Sequence, residues 1–388
     1  MSHTSKSVGH LCYWAIFVLN KFTMQVKDIT AAIEAFAPLM YQESYDNSGL
    51  QVGNAADEVT GVLITLDVTE QVLDEAIERG CNMVVCHHPI IFSGLKRITG
   101  RNYVERIVHK AIKNDITIYA AHTNLDNMYA GVNAKIAEKL GLTDIKILAP
   151  KTDTLCKLYT YAPMASAQHV LEALFAAGAG HIGKYEECSF NAPGTGTFRA
   201  QAGANPTIGE AGGPREWVDE VKIEVLVQKH LQTAVLRALF KAHPYEEVAY
   251  DLMPLPNTNQ QIGAGMVGIL PQPMAETGFL AMLKREMKAG VVRHTTLDGK
   301  KIEKVAICGG SGSFLLNDAI NAGAHVFVTS DYKYHQFFDA EGKIIIADIG
   351  HYESEQYTGE IFEAIIKEKF PTFAVLLSNY STNPVKYF

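Results

Sequence analysis

Two stretches of the sequence can be laid over one another, and that repeat limits the fold more than any other feature. In the first, "GVLITLDVT" (Gly61 to Thr69) is apolar and β-branched, and "EQVLDEAIERG" (Glu70 to Gly80) has helical spacing with a glycine stop. A strand ending in "MVVC" before His87, a helix over Tyr103 to Asn114 and the strand "ITIYAAH" (Ile116 to His122) follow. In the second, "KVAICGG" (Lys304 to Gly310) reads as a strand and "SFLLNDAINAG" (Ser313 to Gly323) as a helix. "HVFVTSDYKYH" (His325 to His335) and "KIIIADIGH" (Lys343 to His351) are two more strands. Gly80 matches Gly323, which sets His87-His88 opposite Ser330-Asp331. His122 matches His351, and each has a carboxylate four residues on, Asp126 and Glu355. This alternation predicts the α/β class, with a mostly parallel sheet and helices on both faces. The expected architecture is two repeat-related α/β halves forming one metal-binding unit.

Different material lies between the halves. "KLYTYAP" and "AQHVLEALFAAGAG" read as strand and helix, and "DEVKIEVLVQ", "LQTAVLRALFKAH" and "EEVAYDLMPL" as strand, helix and strand. The Gly/Pro-rich "NAPGTGTFRAQAGANPTIGEAGGP" joins them as a long hairpin or loop. Two βαβ halves make an inserted ferredoxin-like α+β domain. The divisions expected are residues 24–150 for the first half, 151–262 for the insert and 263–388 for the second half. Residues 1–23, with the apolar run "LCYWAIFVL", are read as an N-terminal extension ahead of a natural start at Met24.

Functional residues in parallel sheets gather beyond the carboxyl ends of the strands, where His87 and His122 both sit. Adjacent residues at a strand end point to opposite sides, so His87 and His88 are expected to serve two neighbouring ions rather than one. His351 and Glu355 share a face if a helix begins after their strand. Asp126 adds a carboxylate, and His122 beside it is a supporting or substrate-contacting residue. Five nitrogen and oxygen ligands shared by two divalent ions leave open positions, the mark of a reactive site. The set suits Zn, Fe, Mn or Co and does not choose among them. A lone histidine pair is more often an ordinary core or surface feature. The case rests on three strand mouths carrying such residues together.

"CGGSGSF" (Cys308 to Phe314) stands between a strand and a helix, where glycine amides can cradle phosphate. Gly310 and Ser311 are therefore candidate substrate contacts. The competing reading is a tight turn with Ser311 or Ser313 capping the helix. Asp331, Tyr332 and His335 are expected to face the same cleft, Asp331 as a catalytic proton acceptor and His335 as a substrate contact.

Composition removes several classes. Hydrophobic residues are 47% and charged residues 20% of the 388, the balance of a folded protein. A net charge of -8 without a Lys/Arg cluster argues against a general nucleic-acid coat. Nothing in the sequence asks for a membrane. Six cysteines without a C-x-x-C pair suggest neither a zinc ribbon nor a disulfide framework, and point to the cytoplasm.

Together "YDNSGLQVG", "CHHPIIFSG", "AHTNLD", "CGGSGS", "TSDYKYH" and "DIGHYESE" resemble the NIF-three-like family, the GTP cyclohydrolase I type 2 homologs. The resemblance covers both outer regions. It implies a dinuclear metal site at His87, His88, Asp126, His351 and Glu355, the residues that spacing had already selected. It also implies a PII/CutA-like insert around "KAHPYEEVAYDLMPL" and a toroidal homohexamer. Tyr45 departs from the family's more usual tryptophan. Two functions follow as expectations. One is a metal-dependent hydrolase acting on a nucleotide or phosphoester, with a small-molecule ligand as partner. The alternative is a non-catalytic regulatory or metal-handling protein that senses a ligand through its PII-like insert.

Overall fold

The computed structural model describes residues 23–388. The expectation for the segment ahead of Met24 therefore lies outside the described residues, apart from Thr23. The fold is mixed α/β, built on three sheets. In the first, Gly49–Val52 is antiparallel to Thr117–Ala120, and Met83–Cys86, Val62–Thr65 and Val375–Leu377 continue the sheet in parallel. Its inner strands Val62–Thr65, Met83–Cys86 and Thr117–Ala120 are buried at every position because both faces are covered. Val62, Ile64, Met83 and Val85 point into one core, and Leu63, Val84, Cys86 and Ile118 into another.

The second sheet has six strands, in the order Arg293–His294, Ile345–Asp348, Val326–Ser330, Lys301–Ser311, Asn259–Ala275, Thr143–Lys151. Its three parallel strands are Ile345–Asp348, Val326–Ser330 and Lys301–Ser311. Val305, Ile307, Val326, Val328 and Ala347 join the same buried cluster as Val62 and Met83, so one continuous core links the two sheets. Helices Val26–Phe36, Val132–Lys139 and Thr358–Lys369 contribute to it. The matched glycines Gly80 and Gly323 each follow a helix with φ of 70°, a left-handed conformation that glycine adopts without a side-chain penalty.

The two sheets exchange strands. Thr143–Lys151 leaves the first region and pairs with Asn259–Ala275 in the second sheet. Val375–Leu377 leaves the second region and pairs with Val62–Thr65 in the first. Strand and helix periodicity carries no signal of this, because a strand pattern does not say which sheet it joins.

The third sheet is wholly antiparallel, in the order Ser189–Phe198, Glu216–Gln228, Leu155–Pro163, Tyr250–Leu255. Helices Ala167–Ala176 and Gln232–Ala242 pack on it through Val170, Leu174, Val235 and Leu239. The Gly/Pro-rich stretch is strand as far as Phe198. Pro193 is tolerated because Ser189–Phe198 is an edge strand. Chain entry and exit are adjacent, since Lys151 pairs with Asn259. No helix among the described residues is long and apolar enough to cross a membrane.

Candidate metal centre

The carboxyl ends of the parallel strands in the first two sheets border one cavity of about 790 Å³. Four imidazoles converge beside it. Ring centroids lie 5.0 Å apart for His87 and His88, 5.2 Å for His87 and His122, and 5.1 Å for His88 and His351. The strand ends at Cys86, and the amides of His87 and His88 both donate to the Leu66 carbonyl, 3.1 Å each. This shared acceptor turns the chain out of the strand. His87 and His88 consequently approach one another, joined by His122 in a group whose ligand atoms lie within 4.8 Å. Two further groups, His87 with Asp126 and Glu355, and His88 with His351 and Glu355, keep the adjacent histidines apart on either side of Glu355, and His122 is a further candidate ligand in the first group.

Each ring is fixed through Nδ1. His87 Nδ1 donates to the Ala121 carbonyl at 2.9 Å. His88 bonds Asp67 at 2.7 Å, His122 bonds Asp46 at 2.8 Å, and His351 bonds Asp331 at 2.7 Å. A histidine held in this way offers Nε2 to a metal. His88 Nε2 lies 3.0 Å and His351 Nε2 3.1 Å from Glu355 Oε2, while His87 Nε2 is 3.8 Å from Glu355 Oε1. Asp126 Oδ1 is 3.4 Å from His87 Nε2. Both of these last atoms are buried without a hydrogen-bond partner. The residues fit divalent cations: hard and borderline donors, converging, with two of them otherwise orphaned.

Electrostatics separates the histidines. Burial lowers the His87 pKa to about 4, leaving a neutral ring with a free lone pair. Burial opposes protonation of His88 as well, but hydrogen bonds to Asp67 and Glu355 outweigh it and raise the pKa to about 10. For His351 the same opposition is overcome by Glu355 and Asp331, raising it to about 11. Burial and the Glu355 charge push Asp126 up. Burial works the same way on Glu355, yet the cationic histidines hold it well below the usual carboxylate range.

Glu355 and His351 lie in the short helix His351–Glu355, seated against the glycine turn. Gly310 has φ of 62°, and a Cβ there would collide with the Glu355 carboxylate. Its amide is occupied by Ser354 Oγ at 2.9 Å, and that of Gly309 by Asn133 Oδ1 at 3.0 Å. These amides are not free to cradle a phosphate. Gly310 thus acts by making room for Glu355, whereas Ser311 lines the cavity with its side chain exposed.

Asp331 borders the cavity, but its contact with His351 makes it an orienting partner rather than a free proton acceptor. The His351 hydrogen bond lowers its pKa. His335 is displaced from the cleft, packed between Tyr334 and Phe338 on an exposed surface. Tyr332 turns into the core beside Phe337. Sequence reasoning missed Asp46 and Asp67. Asp67 was findable: it follows the strand Val62–Thr65, a strand-mouth position of the kind used to select the other ligands.

A model of the family Duf34/NIF3 (NGG1p interacting factor 3) matches residues 24–384. A Halalkalibacterium halodurans protein named GTP cyclohydrolase 1 type 2 homolog is 41% identical, covering 91% of this chain and 96% of that protein. A Bacillus subtilis protein of the same name is 39% identical over 93% and 98%. A Bacillus cereus protein related to NIF3 has a solved structure 38% identical in sequence, with a TM-score of 0.84 over 94% of this chain and all of that one. From a sheet architecture and residues 24–384 alike, the chain belongs to the Duf34/NIF3 family.

Proposed function

We propose that the protein binds two divalent metal ions per chain through His87, His88, Asp126, His351 and Glu355, and hydrolyses a small nucleotide or phosphoester. The observation that carries this is the convergence of imidazoles, each fixed through Nδ1, on the half-buried carboxylate of Asp126 and the buried one of Glu355. Divalent ions in such a site supply Lewis acidity and lower the pKa of water. The chain's own residues do the rest. Glu355 shares its two oxygens between the histidines, Asp67 and Asp331 fix His88 and His351, and the cavity admits a small molecule. The curated relatives' name supports a nucleotide substrate class.

The two matched stretches are read as related halves, and residues 151–262 as a ferredoxin-like, PII/CutA-like insert. The strand order second, third, first, fourth supports that reading. A homohexamer in the cytoplasm completes the proposal. The decisive experiment is turnover by metal-defined protein on a panel of nucleotides and phosphoesters. No turnover with Zn, Fe, Mn or Co would reject the hydrolase. A second reading, ligand sensing through the insert, is favoured by a cavity of about 780 Å³ bordered by Tyr161, Phe198, Lys222 and Tyr245.

A further inference from the structure

Residues 378–388 follow the strand Val375–Leu377 and run from the first region to the second along the cavity wall. Three carboxylates anchor them. Buried Glu75 accepts Ser378 Oγ at 2.6 Å and the Asn379 amide at 3.0 Å. Thr382 Oγ1 donates to Asp67 Oδ2 at 2.6 Å. Asn383 Nδ2 donates to Glu353 Oε1 at 2.9 Å. Beyond these, Pro384, Val385 and Tyr387 border the cavity. The Tyr387 ring sits on Gly290, where any side chain would displace it.

We infer that Thr382 is a positioning residue of the metal centre and that residues 383–387 limit the size of what reaches it; this rests on the metal-site reading above. Asp67 uses Oδ1 to hold His88 Nδ1 and Oδ2 to accept Thr382. With one oxygen bound, a carboxylate still turns about its Cβ–Cγ bond. With both bound, its plane is set, and so is the imidazole that leans on it. The same device recurs at Asp46, which bonds His122 through Oδ1 and Thr123 through Oδ2. There the threonine is the histidine's neighbour in sequence. At Asp67 it comes from 315 residues away, so the wall segment and the ligand geometry are coupled.

The test uses full-length protein loaded with cobalt(II), whose visible spectrum reports ligand geometry. Thr382→Val is expected to shift the spectrum and weaken cobalt binding by up to about tenfold, the low end of the scale for the direct partner of a ligating histidine, because Thr382 acts one hydrogen bond further out. Thr382→Ser should restore both, which a merely structural effect on folding would not require. His88→Ala is the control. If it alters spectrum and affinity while Thr382→Val does not, the positioning role is wrong although the metal site stands. If neither variant changes anything, the metal-site reading fails and takes this inference with it. For access, the double variant Val385→Ala with Tyr387→Ala should both take up cobalt and lose it to EDTA faster than wild type at unchanged cobalt affinity. Equal rates of loss would remove the wall's role in access.

Discussion

His87 Nε2 and Asp126 Oδ1 face each other at 3.4 Å, both buried and neither hydrogen-bonded within the protein. An unpaired buried polar group costs about 1–3 kcal/mol, so a pair of them is a standing penalty that a cation would remove. Protein purified without chelator is therefore expected to carry two divalent ions per chain by elemental analysis. Glu355→Ala should lower that content markedly, since Glu355 reaches His87, His88 and His351. Full occupancy in the variant would count against a site shared between the two regions.

Metal binding should release protons. Without metal, His88 and His351 have pKa values of about 10 and 11 and are protonated at neutral pH. A cation needs the Nε2 lone pairs, so it must displace those protons, and apparent affinity should fall as pH falls. Calorimetric titrations in two buffers of different ionisation heat would read the release directly. Identical heats in both buffers would contradict it.

Asp331→Asn should act on the metal rather than on a proton in flight. Its carboxylate holds His351 Nδ1, and loss of such a partner weakens metal binding by about 10–100-fold. Excess metal should then recover much of the turnover. A variant with unchanged affinity and lost turnover would return Asp331 to the role of proton acceptor.

Gly310→Ala combines a positive φ with a collision against the Glu355 carboxylate. A non-glycine residue in that conformation costs about 1–3 kcal/mol before the collision is counted. Both the melting temperature and the metal content should drop. A variant that kept its stability and its metal would show that the helix carrying Glu355 moves aside freely.

Removing residues 152–258 and joining the ends with a short turn should leave metal binding intact. Lys151 and Asn259 are already paired, and the third sheet has its own core. The excision forfeits the Tyr41–His230 hydrogen bond of 2.7 Å. Loss of metal from a folded deletion variant would mean that the insert helps to form the centre.

The alternation of apolar strands and amphipathic helices was enough to place His87, His122, His351 and their carboxylates at strand mouths. That works because a strand's end is a local property of sequence. The failures were non-local. The free or occupied state of the Gly309 and Gly310 amides depends on Asn133 and Ser354, far away in sequence. His335 follows a strand as expected, but the chain turns after Lys333 into a 3-10 helix, Tyr334–Ala340, and carries it outward. Asp67 needed only the strand-mouth rule, applied once more.

The strand exchange bears on the order of events during synthesis. His88 and Glu355, in contact at 3.0 Å, are 267 residues apart, and Val375–Leu377 completes the first sheet only after both have been made. Contacts this distant in sequence form late, because the intervening chain must be ordered first. A ribosome-bound chain halted before residue 375 would hold all five proposed ligands and still lack the strand beside Val62–Thr65. The geometry that suits a cation would then arise only in chains extended past residue 377, and shorter products would be poor competitors for scarce metal.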